Sequence, residues 1–332
     1  MEPVKEPEKP KKSIVGIVVK FVLPLALGIL ILYFLFRGIN LAEVWDILKH
    51  ADYAILGFSL LFGLLGNTIR GYRWELLIRP LGYRAKVSTL NYAIYGGYAV
   101  NFVFARAGEL WRCGMVAKEE KVPFTKLIGT ILLDRILDML LVLSILIVAF
   151  FLNMNFLLKQ NEERIETLQN LLASPLLYAG IIGIALAVFI VFRFFGQNFV
   201  VKKLINLAAG MLKDVKAIWQ MKTKTRLFLY SIGIWTAYFF YFYITFFAFG
   251  FTKDLGFTAG LVAFALSSLS MGVPSNGGLG PWQLAVIASL TIYGVNKGEA
   301  TAFATGVFAI QSVWVILCGL VGIAVLALRK KE

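Results

Sequence analysis

Six runs of apolar residues punctuate this chain, at residues 14–36, 53–69, 127–151, 176–195, 227–249 and 301–328. At about 1.5 Å per helical residue, runs of roughly 20 match a hydrocarbon layer about 30 Å thick. Inside such a layer every backbone N–H and C=O must be satisfied internally, which leaves only helices and closed barrels. A barrel strand alternates apolar and polar residues, and no run here does. With 59% hydrophobic residues, 28 Phe and a mean hydropathy of +0.77, the expected fold is an all-α polytopic membrane protein with about six full spans. The run at 14–36 is too long for a signal-peptide core and lacks a small-residue cleavage site, so it reads as a retained span, with Pro24 placed to kink it. Residues 1–13 are charged and proline-rich and read as a disordered cytoplasmic tail. Residues 14–328 read as one transmembrane domain, and 329–332 as a short basic cytoplasmic end.

Residues 90–112 do not fit the simple pattern. They are apolar for too short a distance, break near Ala105, and turn at once into the charged segment Arg106-Ala-Gly-Glu109-Leu-Trp-Arg112. The charge distribution decides how to read them. The net charge of +14 is concentrated in certain loops, as orientation by inner positive charge requires; it does not indicate a nucleic-acid partner. If residues 90–104 crossed fully, the basic segments (the N-terminus, 70–126, 202–226 and the C-terminus) would fall on both sides. If they dip in and return, all of these lie inside and the acidic loop 152–174 lies outside. The second arrangement is expected, with both termini cytoplasmic in the cell (inner) membrane. Residues 201–215 keep a helical period beside seven Lys and Arg between 202 and 226, the pattern of an amphipathic helix on an anionic leaflet. Leu41, Val44, Trp45 and Leu48 similarly suggest a short helix in the outer interface.

Residues 255–296 carry no charge and are broken by Pro274-Ser-Asn-Gly277-Gly278-Leu-Gly280-Pro281. Each flanking piece, about 17 residues, would reach about 25 Å as a helix. A break without Lys or Arg does not belong on the inner side, so a second re-entrant hairpin is expected from the outer face. Two broken hairpins entering from opposite faces make the layout of an inverted-repeat transporter, whose site forms between paired breaks.

Three groups of residues carry possible chemistry. Arg106, Glu109 and Arg112, three apart, would share a helix stripe; they read either as an interfacial salt-bridge ladder or as a grip on a lipid phosphate. Asp134, Arg135 and Asp138 lie in the run 127–151, with Asp138 near the midplane, where a charge costs roughly 2.5–3.5 kcal/mol. They read as a buried pairing with Arg106 or Arg112, as part of a polar path, or as both. Gly277, Gly278, Gly280 and Pro281 can open backbone donors and carbonyls to a ligand, with Trp282 and Gln283 adding a ring and a hydrogen bond. For Asn67, Asn101 and Gln311, hydrogen bonding between helices is expected. His50 is the lone histidine and Cys113 and Cys318 are the only cysteines, so no metal, cofactor, Ser-His-Asp triad or disulfide is expected.

The two breaks also carry a likeness. Asn101-Phe-Val-Phe-Ala-Arg106-Ala-Gly108-Glu109-Leu-Trp-Arg112, followed by Asp134-Arg135-x-x-Asp138, resembles the first signature of the flippase-like membrane domain of lysylphosphatidylglycerol synthases. Pro274-Ser-Asn-Gly277-Gly278-Leu-Gly280-Pro-Trp-Gln283 resembles its second. Ala105 stands where that family usually has proline, and Gln283 where many members have Glu. In the full-length synthases this region moves an aminoacylated phospholipid between leaflets. Only residues 329–332 follow the last run here, so no aminoacyl-transfer activity, and no enzyme, is expected. The resemblance implies a stand-alone lipid translocator working without ATP, whose substrate is a phospholipid-like membrane lipid. Two alternatives stand beside it: a proton-coupled transporter of a small anionic solute, and a non-catalytic membrane partner of a lipid-modifying enzyme. A homo-oligomer is compatible with all three.

Overall fold

The computed structural model describes residues 41–154 and 223–329, whose regular elements are all helices. They are α1 (Leu41–Lys49), α2 (Tyr53–Ile78), α3 (Val87–Val103), α4 (Ala107–Glu120), α5 (Phe124–Leu152), α6 (Lys224–Tyr243), α7 (Gly256–Ser270), α8 (Pro281–Ile292) and α9 (Lys297–Leu328). The runs at 14–36 and 176–195, the amphipathic segment 201–215, the tail 1–13 and most of the acidic loop lie outside the described residues.

Among the described residues four segments are long and apolar enough to cross a membrane: Tyr53–Leu81, Phe124–Leu152, Lys224–Ala248 and Lys297–Leu328. They coincide with four of the six expected runs, and the protein is a multi-pass helical membrane protein. Local chemistry sets their starts. Asp52 caps α2 by accepting from the amides of Ala54 (2.9 Å) and Ile55 (3.1 Å), and Asn296 caps α9 through Gly298 (2.8 Å). One boundary differs from expectation. α2 does not end near Ile69 but continues through Arg70 and Arg73 to Ile78, because both arginines are buried against acids of α5 instead of marking the membrane edge.

α9 serves as a ruler for the two broken hairpins. Along its C-terminal half α3 runs antiparallel: the Arg329 guanidinium donates to Thr89 Oγ1 (2.6 Å), Gly322 faces the Tyr92 backbone, and Gly319 faces Tyr95 and Ala99. α3 finishes with the Phe102 ring 6.5 Å from Phe308. Along the N-terminal half lies α8, which starts with Trp282 against that same Phe308 (5.6 Å) and ends shortly before α9 begins. At the far end of this second hairpin, Tyr293 donates to Asn153 Oδ1 (2.6 Å), and Asn153 donates to the Thr258 carbonyl (3.5 Å). The end of α8, the start of α7 and the end of α5 therefore share one level.

The hairpins thus enter from opposite ends of α9 and stop where they meet. Their arms hold 17, 14, 15 and 12 residues, about 18–25 Å as helices, short of a full crossing. Both have the short, broken form expected of re-entrant segments. Within the first, α3 and α4 touch backbone to backbone: a Cβ on Gly108 would collide with the Gly97 carbonyl, and one on Gly97 would sit 2.9 Å from the Gly108 carbonyl.

Two apolar cores form, one at each end. Phe239, Phe242, Phe246, Phe264 and Phe303 centre the core beside the second hairpin. Trp74, Ile78, Leu90, Ile94, Leu127 and Leu326 centre the one beside the first. Cys113 and Cys318 are free thiols, as expected.

Candidate functional site

Between the two cores lies a layer of buried charge. It is assembled by helical spacing: Arg70 and Arg73 are three apart on α2, Asp134 and Asp138 four apart on α5, so each pair faces the other helix. Arg70 Nη1 donates to Asp134 Oδ2 (2.9 Å) and Asp138 Oδ2 (2.7 Å). Arg73 Nε and Nη2 both donate to Asp134 Oδ1 (2.9 and 2.5 Å), and Nη2 also reaches Asp138 Oδ1 (2.7 Å). All four side chains are at most 8% exposed. Counting from Phe124, Asp138 lies about 21 Å along a helix of about 43 Å, near its middle.

α6 completes the layer. Arg73 Nη1 donates to Ser231 Oγ (3.2 Å), Trp235 Nε1 to Asp138 Oδ1 (3.2 Å), and Arg70 Nε to the Tyr238 hydroxyl (3.2 Å). The Tyr238 hydroxyl in turn donates to Asn67 Oδ1 (2.6 Å). Every carboxylate oxygen here has a charged donor, the condition under which buried ion pairs are tolerated. The pairing expected for Asp134 and Asp138 is therefore real, but its main partners are Arg70 and Arg73. Arg112 contributes a longer contact, 3.8 Å to Asp134 Oδ2, and Arg106 contributes none.

The stripe expected of Arg106, Glu109 and Arg112 is split. Arg106 precedes α4 in a left-handed conformation (φ 60°), which aims it away from its neighbours and lets it donate to the Gly272 carbonyl. Glu109 accepts from Arg135 Nε (2.6 Å) in a half-exposed pair bridging α4 and α5. Arg112 turns inward, is buried, and stacks 5.0 Å from the centre of the Trp74 ring. Asn101 of α3 closes the first break by accepting from the Gly108 amide of α4 (2.8 Å), a bond between helices as expected. Asn67 and Gln311 also bond between helices, to Tyr238 (2.6 Å) and the Tyr241 carbonyl (2.9 Å).

At the second break Gly277, Gly278 and Gly280 adopt φ of 63°, 92° and 91°, a left-handed run that side chains resist. Asn276 Nδ2 donates to the Phe102 carbonyl (3.3 Å), so the two breaks touch directly. Gln283 is not free for a ligand. Its Oε1 accepts from the Gly280 amide (2.8 Å), capping α8, and the residue is buried. Trp282 packs between Phe242 and Phe308 and is not an interfacial ring.

A narrow, half-open crevice lies beside the charged layer, lined by Ile94, Gly97, Tyr98, Asn101, Gly108, Glu109, Arg112 and Arg135. Among the described residues no group of three or more His, Cys, Asp or Glu could hold a metal. The expected site residues thus divide. Arg112, Asp134, Arg135, Asp138 and Glu109 converge, while Arg106, Gly277, Gly278, Gly280 and Gln283 build the junction of the breaks. Arg70, Arg73, Ser231, Trp235 and Tyr238 were not anticipated. Arg70 and Arg73 carried a usable signal, an Arg-x-x-Arg spacing that complements Asp-x-x-x-Asp.

Comparison with known proteins places this architecture. Over 117 residues the chain is 32% identical to a protein named glycosyltransferase AglD from Haloferax volcanii, covering 35% of this chain and 18% of that one. Over 110 residues it is 26% identical to the UPF0104 membrane protein MJ1595 of Methanocaldococcus jannaschii, covering 32% of each. The matched stretches are thus less than a third of either relative. No solved structure matches. The family described as lysylphosphatidylglycerol synthase TM region matches residues 21–319, which include both breaks and the buried charged layer, and the chain belongs to that family.

Proposed function

We propose that the protein is a lipid translocator, moving a phospholipid or related lipid between leaflets without ATP. The observation that carries this reading is the meeting of two half-length hairpins, entering from opposite ends of α9, beside charge buried at midlevel. Backbone that breaks at membrane depth is tolerated where it is sheltered by protein or lines a polar path, and transporters place their sites at such paired breaks. The charged layer and the crevice between α3, α4 and α5 give a polar headgroup a route, while the acyl chains stay in lipid. No nucleotide-binding motif occurs in the sequence, so movement is passive or ion-coupled.

The decisive assay is reconstitution into liposomes carrying a fluorescent lipid, with a membrane-impermeant quencher reporting the fraction exposed. The protein should raise the quenched fraction beyond that of empty liposomes, and Arg106→Ala and Asp138→Asn should slow the change. Equal rates with and without protein would end the reading.

The solute-transporter alternative finds little support, since Asp134 and Asp138 are each clasped by two guanidiniums and a proton-carrying acid must leave such partners each cycle. The relative named a glycosyltransferase favours another second reading, in which this membrane domain works beside a lipid-modifying enzyme. On that reading charge variants keep function while surface variants lose it.

A further inference from the structure

Arg112 has the least to hold it of any charge in the layer. Its side chain is 5% exposed, yet Nε and Nη2 have no hydrogen-bond partner among the described residues. The nearest carboxylate oxygen, Asp134 Oδ2 at 3.8 Å, already accepts from Arg70 at 2.9 Å. Trp74 covers a ring-sized face of the guanidinium but offers no acceptor. The charges do not balance either: Arg70, Arg73, Arg112 and Arg135 stand against Asp134, Asp138 and Glu109. One positive charge is left over, and it falls on the residue with free donors. Nε and Nη2 form one edge of the guanidinium, the edge that takes two oxygens of a phosphate or carboxylate side by side.

We propose that the crevice beside Arg112 is a binding site for a singly charged phosphate group, gripped side-on by Nε and Nη2. Gly97 and Gly108 line it where α3 and α4 touch, Tyr98 and Asn101 flank it, and the half-exposed Glu109–Arg135 pair forms its lip. A single negative charge neutralises the layer; a dianion leaves a charge uncompensated, and a headgroup of net positive charge meets a positive site. This deepens the translocator reading and rests on it for the expectation that the phosphate belongs to a lipid headgroup. A free phosphate offers the same chemistry.

The test uses the full chain in detergent and reads binding by saturation of the thermal shift. Three probes are used: dihexanoyl phosphatidylglycerol, dihexanoyl phosphatidylcholine and inorganic phosphate. Phosphatidylglycerol should bind saturably, and Arg112→Gln should weaken it about tenfold or more, as loss of a charge-assisted fork implies. Arg112→Lys should fall between, because an ammonium keeps the charge and loses the fork, and it keeps the test alive should Arg112→Gln not fold. Binding of phosphate alone through Arg112 supports the site and assigns it to a free solute. Phosphatidylcholine, whose phosphate is also singly charged, should bind through Arg112 but more weakly. Unchanged phosphatidylglycerol affinity in the Arg112 variants overturns the proposal, as does phosphatidylcholine binding that does not depend on Arg112. Lipid scrambling is measured on the same preparations. Scrambling without Arg112-dependent binding removes this site and spares the translocator; binding without scrambling does the reverse.

Discussion

The Arg106 side chain donates to the carbonyl of Gly272, 166 residues away, and so ties the break of one hairpin to the break of the other. Asn276 returns the link by donating to the carbonyl of Phe102. The junction between the hairpins is made of backbone carbonyls that the breaks themselves set free.

Arg106 holds its place at a cost, since a left-handed conformation is unfavourable by roughly 1–2 kcal/mol for a residue with a Cβ. Arg106→Ala keeps that strain and loses the bond to Gly272. Arg106→Gly loses the bond and the strain together. The glycine variant should therefore be the more stable by about 1 kcal/mol in denaturant unfolding. Equal stabilities would mean the backbone relaxes when the side chain is removed.

Removing Arg73 strands two buried acids. Arg73→Met should cost about 3–5 kcal/mol, and Asp134→Leu a similar amount. The double variant should cost clearly less than the sum, because it removes charge from both sides. A double-variant cycle of unfolding free energies reads the coupling, and simple additivity would argue against the bonds described.

Glycine at 108 is a packing requirement. Gly108→Ala should destabilise by about 1–3 kcal/mol or more. Gly114→Ala, on the same helix with open space around it, should be neutral or stabilise by up to about 1 kcal/mol. Melting temperatures of the two variants side by side separate packing from helix propensity.

Gln283 is assigned a cap. Gln283→Ala strands the buried Gly280 amide and should cost about 1–3 kcal/mol, while Gln283→Glu, keeping an acceptor oxygen, should cost less. Amide exchange at the start of α8, followed by mass spectrometry, should rise in the alanine variant first.

Opposite entry of the hairpins can be read by labelling. Arg84 and Lys253 are exposed residues just before α3 and α7. Cysteines at the two positions, in a Cys318→Ala background, should react with an impermeant maleimide from opposite sides of sealed vesicles. Labelling from the same side would contradict the end-to-end arrangement along α9.

Much of this was legible in the sequence, for reasons particular residues make plain. Asp134 and Asp138 stood out because acids amid leucines have no cheap explanation. The breaks stood out because Gly277, Gly278 and Gly280 crowd into four residues, and because residues 90–104 are too short to cross. Arg70 and Arg73 were concealed by their position: at the end of an apolar run, an arginine that anchors at the membrane edge and one that neutralises a buried acid are spelled alike. Gln283 misled for a related reason, since a polar residue beside a break suits a ligand as well as it suits a backbone amide. The contact between the breaks was not legible at all. It joins carbonyls, and carbonyls are common to every residue.

Where Gly97 meets Gly108, main chain rests on main chain, and the two arms of that hairpin are shut along their seam. For the proposed translocator this means that a headgroup cannot be threaded between them. It would have to travel along the hairpin's outer flank, past Tyr98 and the Glu109–Arg135 bridge, so the width of the gap to α5 would set the largest headgroup that fits.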